Sequence, residues 1–152
     1  MRAIQVSVIG SGSEWEKRAE EVGRLLAEHG CTVVTGGGGE VMVAAARGAK
    51  KAGGHTIGIL PGESPNEAGE WIDISVATGA GHARNLAVAA SGDAVIAVGG
   101  SWGTLSEIAF ARRLGRPTVL LEGGVGVEGE GFLRATTPEE AVELALSALE
   151  TK

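Results

Sequence analysis

Short runs of apolar and β-branched residues recur along the chain at Ala3–Ile9, Thr32–Thr35, His55–Leu60, Ile72–Ala77, Asp93–Val98 and Pro117–Leu121. They lack the strict apolar–polar alternation of a sheet with one wet face, so each predicts a strand covered on both sides. Between them the period changes. Within Glu14–His29, the residues Trp15, Ala19, Val22 and Leu26 follow at spacings of four, three and four, which places them on one face of a helix. Ser13 and Glu16 spell a capping box at its start, and Gly30 suits the left-handed position past its end. Val41–Ala52, His82–Ala90 and Thr104–Leu114 read as further helices, and Thr137-Pro138-Glu139-Glu140 opens a last one with N-cap, N1 proline and capping box. Glu63–Trp71 and Glu122–Gly131 are polar and turn-rich and read as loops, and Gly131–Ala135 reads as a short edge strand.

Strands that alternate with helices and are apolar throughout predict an α/β architecture: a Rossmann-like, doubly wound, mostly parallel sheet with helices on both faces. At 152 residues the expectation is one domain over 1–152.

Composition sharpens this picture at one point. Glycine supplies 26 residues, more than twice its usual share of about 7%, and it gathers at Gly10–Gly12, Gly36–Gly39 and Gly99–Gly103. Each cluster follows a strand and precedes a helix. In a doubly wound sheet such loops open on one edge, where helix N-termini offer N–H donors and a positive dipole end to a phosphate. A tight βα turn alone also calls for glycine, but three such clusters on one edge point to a ligand. Gly10, Ser11, Gly12, Gly37, Gly38, Gly39, Gly99, Gly100, Ser101, Gly103 and Thr104 are therefore the candidate phosphate-binding residues. The dinucleotide fingerprint is absent because Trp15 stands where its third glycine belongs, and no Walker loop occurs.

A formal charge of −6 gives no broad basic surface, which argues against nucleic acid or anionic membrane as partner. Cys31 is the one cysteine, so no intramolecular disulfide can form, and a cytoplasmic location is expected. His29, His55 and His82 show no metal-ligand spacing with Cys31 or carboxylates, so no metal is expected. Ser101 lacks the Gly-x-Ser-x-Gly elbow of a nucleophilic serine.

The segment Gly99–Glu107, GGSWGTLSE, resembles the PGGxGTxxE motif of the Lonely Guy (LOG) family, often misnamed lysine decarboxylases, and GHARNLAVAASGDAVIAV before it is similar to that family's H-x-R-K stretch. The glycine run from Gly36 with Val41-Met42, and the IGILP that ends at Pro61, look like the family's second glycine loop and third strand. This resemblance covers nearly the whole chain. It implies a Rossmann-like fold, a homodimer or homotetramer, and, in the family's enzymes, hydrolysis of nucleoside 5′-monophosphates to free base and ribose 5-phosphate. The arginine and glutamate linked to catalysis there would be Arg84 and Glu107. Thr104-x-x-Glu107 also spells a capping box, which gives Glu107 a structural alternative.

Val98 stands in place of the motif's proline, Asn85 in place of its lysine, and Gly81 in place of the methionine before the histidine. These variants resemble a shorter sister group that includes the molybdenum cofactor carrier protein. The expectation is thus a binding or carrier protein for a phosphate-bearing small ligand, nucleotide or molybdenum cofactor, with no cofactor required for chemistry. The alternative is a LOG-type phosphoribohydrolase.

Overall fold

The computed structural model describes residues 1–122 and 126–151. Its strands are β1 (Gln5–Ser11), β2 (Thr32–Thr35), β3 (Thr56–Leu60), β4 (Ile74–Ala77), β5 (Ala94–Gly99), β6 (Thr118–Leu121) and β7 (Leu133–Ala135). The helices are α1 (Glu16–Glu28), α2 (Glu40–Lys51), α3 (Arg84–Ser91), α4 (Trp102–Arg113) and α5 (Pro138–Glu150). The strands form one sheet in the order β4-β3-β2-β1-β5-β6-β7, every pairing parallel. The architecture is α/β and Rossmann-like. Part of the loop expected over Glu122–Gly131, at positions 123–125, lies outside the described residues.

Successive residues of each strand serve opposite layers. On β5, Ala94, Ile96 and Val98 join the core under α1, α2 and α5, while Val95 and Ala97 join the core under α3 and α4. This is why the strand is apolar at every position. Burying a side chain such as Ile96, which is fully inside, contributes about 1.5–3 kcal/mol. Ser7 breaks the apolar run of β1 at no cost in unmet polarity, because its Oγ donates to the Val88 carbonyl at 2.7 Å.

Helices α1 and α2 approach closely enough that each needs a glycine. A Cβ on Gly23 would lie 1.9 Å from the Ala45 carbonyl oxygen, and one on Gly48 would lie 2.0 Å from that of Glu20. Both positions have ordinary helical backbone, so the demand comes from packing alone.

Three local expectations are corrected. The Ser13/Glu16 capping box does not form. Ser13–Trp15 winds into a 3₁₀ turn, closed by the Trp15 N–H on the Gly12 carbonyl at 3.0 Å, and α1 starts only at Glu16. A capping box needs its serine at the helix boundary, and the tight turn after Gly12 (φ 111°) moves that boundary on. In the last helix the Thr137 Oγ1 accepts from the Glu140 N–H at 3.1 Å, as a cap should. Glu140 Oε1 reaches one residue further back than the box predicts, to the Thr136 N–H at 2.8 Å. Helix α4 begins at Trp102, two residues ahead of the expected Thr104, with consequences described below. Gly30 does take the left-handed conformation after α1, at φ 77°. Among the described residues, no helix is long and apolar enough to cross a membrane.

Gly23→Ala should destabilise the protein by about 2 kcal/mol or more, because the methyl group meets backbone that cannot move aside. Gly38→Ala, with nothing within 4 Å of its new Cβ and no positive φ, should stay within about 0.5 kcal/mol of wild type. Thermal or urea unfolding of the two variants checks the contrast.

Candidate functional site

Strand order reverses between β1 and β5: the chain leaves β1 toward β2 on one side and leaves β5 toward β6 on the other. A doubly wound sheet opens its ligand crevice at such a point, beyond the carboxyl ends of the strands. Here the two strand ends are pressed together. Gly10 (φ 136°) would place a Cβ 1.8 Å from the Val98 carbonyl oxygen. Gly99 (φ 64°) would place one 2.4 Å from the Ser11 carbonyl oxygen and 2.2 Å from Cδ1 of Trp15. These glycines let the two strand ends meet at the switch point.

Gly100 continues in a left-handed conformation at φ 144°, and the chain then turns through extended Ser101 into α4. The first turn of α4 thus stands at the switch point, with the Thr104 N–H met by the Ser101 side chain and the Trp102 and Gly103 N–H groups without a partner inside the helix. Trp102 is 86% exposed at the rim. Thr104 is buried, and its Oγ1 accepts from the Ser101 N–H at 3.2 Å, so its hydroxyl braces the loop. Gly103 is open: the nearest heavy atom to an added Cβ is Asn85 Nδ2 at 4.0 Å.

This arrangement corrects the reading of Thr104 and Glu107 as a capping box. The box partner of Thr104 is Ser101, because Gly99 and Gly100 turn the chain early enough for the helix to begin at Trp102. Glu107 falls in the second turn, where no free N–H remains for it to cap. It is only 8% exposed, and its carboxyl group forms no hydrogen bond among the described residues. Burial pushes its carboxyl from the ordinary 4.5 up to about 7, against an opposing pull from the Arg84 charge.

Arg84 opens α3 and reaches across to the second glycine cluster. Its Nη1 donates to the Gly36 carbonyl at 2.6 Å and lies 3.3 Å from that of Ile59, tying the ends of β2 and β3 together. A Cβ on Gly36 would sit 1.9 Å from this nitrogen, so only glycine admits the clasp. Arg84 Nε is buried with no hydrogen-bond partner. Next in the loop, Gly37 (φ 81°) donates its N–H to Thr35 Oγ1 at 3.1 Å, and Gly39 (φ 70°) precedes α2. The structure thus brings Arg84, Glu107 and the candidate loops to the same edge of the sheet.

Two residues that spacing alone did not single out as functional also act here. Asn85 Nδ2 donates to Ser106 Oγ at 3.0 Å, and Ser106 Oγ donates to the Gly103 carbonyl at 2.6 Å. This chain fixes the first turn of α4 to α3. The hint in the sequence was a serine three residues after Gly103, a spacing at which a hydroxyl bonds back to the helix.

Chemically, the site offers backbone donors for an anion on the same edge as a carboxyl group that burial holds well above the ordinary carboxylate range. Such a group can give or take a proton.

The SLOG cluster4 family matches the chain over residues 3–148. Among solved structures, the molybdenum cofactor binding protein of the phototrophic bacterium Rippkaea orientalis is similar, with a TM-score of 0.89 and 35% identity over 98% of this chain and 99% of that one. The molybdenum cofactor carrier protein of Chlamydomonas reinhardtii gives 0.86 and 33% over 99% of this chain and 100% of that one. A probable cytokinin riboside 5′-monophosphate phosphoribohydrolase of Oryza sativa subsp. japonica is 35% identical over 102 residues, which are 65% of this chain and 42% of the rice protein. The matched region is thus less than half the length of that relative.

Glu107 gives a prediction about pH. The unfolded carboxyl releases its proton near 4.5 and the folded one near 7, so between these values the folded state holds more protons. Stability should therefore fall as pH rises through that window, by about 3 kcal/mol at most, and level off above it. Glu107→Gln should remove this slope. Urea unfolding of both proteins between pH 4.5 and 8 measures it.

Proposed function

This chain belongs to the SLOG cluster4 family, and from that premise we propose that it is a binding or carrier protein for a phosphate-bearing small ligand. The ligand is a nucleotide or a molybdopterin-like cofactor, and the chain acts as one phosphate-binding unit. The observation that carries this reading is the Gly99–Thr104 loop: positive-φ glycines deliver the open first turn of α4 to the switch point of the sheet. Gly100 and Gly103 hold the phosphate with backbone N–H groups and Ser101 with its hydroxyl, Thr104 braces the loop, and Gly10–Gly12 and Gly37–Gly39 flank it. What the residues fit is the phosphate end of either ligand. A bound molybdenum cofactor would bring redox chemistry for a client enzyme, and this chain's part is to hold the group and release it.

The carrier reading is also supported by Arg84. Its Nη1 is spent on the Gly36 and Ile59 carbonyls, which makes it the clasp of a loop. The solved relatives named for molybdenum cofactor match over essentially their whole length.

Glu107 favours a second reading, that of a nucleoside 5′-monophosphate phosphoribohydrolase. As the glycosidic C–N bond breaks, positive charge develops on the ribose, and a carboxylate stabilises it while taking a proton from the attacking water. The base leaves with one proton and the ribose gains a hydroxyl. A buried carboxyl that titrates near 7 suits this exchange.

Gly103→Leu places a side chain where the phosphate would sit, in space that is open in the protein. AMP at about 100 times its dissociation constant should stabilise wild type by roughly 2.7 kcal/mol and leave Gly103→Leu unmoved. An equal shift in the variant would overturn the placement. Assays for free base from AMP, CMP and GMP separate the readings: turnover lost by about 10² or more in Glu107→Gln supports the hydrolase, and no turnover with retained binding supports the carrier.

We further propose a homodimer or homotetramer joined through the α3–α4 layer. Leu86 on α3, Phe110 on α4 and Leu114 at the C-cap of α4 are large apolar side chains exposed by 36–44%. Phe110 and Leu114 are four residues apart and share a helix face. Sedimentation at micromolar concentration should give a multiple of 15.3 kDa, and Leu114→Glu should shift it toward the monomer. A monomer in wild type would overturn the proposal.

A further inference from the structure

Behind the second glycine loop lies a cavity of about 170 Å³, on the α2 side of the sheet and away from α4. Thr35, Met42, Val43, Ala46, Trp71 and Ile72 supply most of its wall, and Glu70 stands at its edge. It is a cleft, open to solvent on one side, between the half-buried side chains of Met42, Val43, Trp71 and Ile72. Its wall is mostly apolar, so water gains few partners against it, and its volume is of the size that admits a benzene-sized molecule.

The walls are fixed. Thr56 Oγ1 donates to the Trp71 carbonyl at 2.6 Å and accepts from the Asp73 N–H at 2.9 Å, which holds the β3–β4 connection against β3. Lys50 of α2 pairs with Asp73 at 2.8 Å, tying the opposite wall to the same anchor. Gly58 lets Ile72 lie flat on β3, since an added Cβ would come within 3.1 Å of it. The space is therefore built into the framework and does not depend on a loose loop.

We propose that this cavity is a binding site for a small planar aromatic molecule, neutral or cationic, distinct from the phosphate crevice. The Trp71 indole and the Met42 thioether offer an aromatic ring the contacts it favours. The Glu70 carboxylate at the edge repels anions, so the cavity selects against the charge that the crevice attracts. Met42 also bounds the glycine loop, its Sδ 2.9 Å from where a Gly36 Cβ would stand, so a ring in the cavity touches a wall that the loop shares.

Indole, benzamidine and benzoate serve as neutral, cationic and anionic probes, with binding followed by saturation-transfer NMR and calorimetry on the full chain. Indole and benzamidine should bind, benzoate at least tenfold more weakly, and saturating AMP should leave indole in place. Val43→Phe and Ala46→Leu, each checked for wild-type circular dichroism, fill the space and should weaken indole at least tenfold. A crystal of wild type under xenon should show the gas in the cavity, a readout that needs no variant. Absence of both indole binding and xenon, undiminished indole binding in a folded variant, or displacement of indole by AMP would overturn the proposal. The AMP result also separates this site from the crevice, because failure of the carrier reading leaves indole binding untouched.

Discussion

Gly10 and the carbonyl of Val98 are so close that no side chain can come between β1 and β5 at the carboxyl end of the sheet. Nearly everything at the site follows from that contact. It seats the turn after β1 against the turn after β5, it lets Trp15 fold over Gly99, and it sends the chain into α4 at Trp102. The backbone donors of α4 then open on the crevice. A larger residue at position 10 would separate the strands where the two glycine loops meet.

The charged groups are arranged around the same edge with little charge spent on the crevice itself. Arg84 is bound to two strand-end carbonyls and holds the Gly36–Gly39 loop in shape. Its field still reaches Glu107, where it opposes the effect of burial without cancelling it. In a chain of net charge −6, an anion must be held by oriented N–H dipoles more than by cations. On the proposed reading such a site takes a phosphate and leaves the rest of the ligand to its surroundings; the similar proteins are named for ligands as different as a molybdenum cofactor and a riboside 5′-monophosphate.

On the far side of the second glycine loop the chemistry is opposite in kind. The crevice is lined by backbone and small residues, whereas the space under α2 is walled by Met42, Val43, Trp71 and Ile72. Gly36 lies between the two, with the Arg84 guanidinium and the Met42 sulfur both within 3 Å of where its side chain would be. The loop is thin because both neighbours crowd it, and that thinness places two different environments side by side.

The fold was legible in the sequence because its signals are local. Uninterrupted apolar runs such as Asp93–Val98 mark strands covered on both faces, the spacing of Ala19, Val22 and Leu26 marks a helix, and Gly30 marks its end. The glycine clusters could be assigned to strand ends for the same reason. What tertiary structure decided are the pairings between residues far apart in sequence. Thr104-x-x-Glu107 satisfies a capping pattern, but the strain-free turn at Gly99 and Gly100 starts the helix at Trp102 and leaves Glu107 buried and uncapped. Arg84 could be aligned with a motif, yet its clasp on Gly36, 48 residues away, exists only once β2 and β3 lie side by side. Gly23 and Gly48 read as poor helix residues until α1 and α2 meet. A sequence records local conformational preference residue by residue, whereas contact distance and burial arise only when the chain closes on itself.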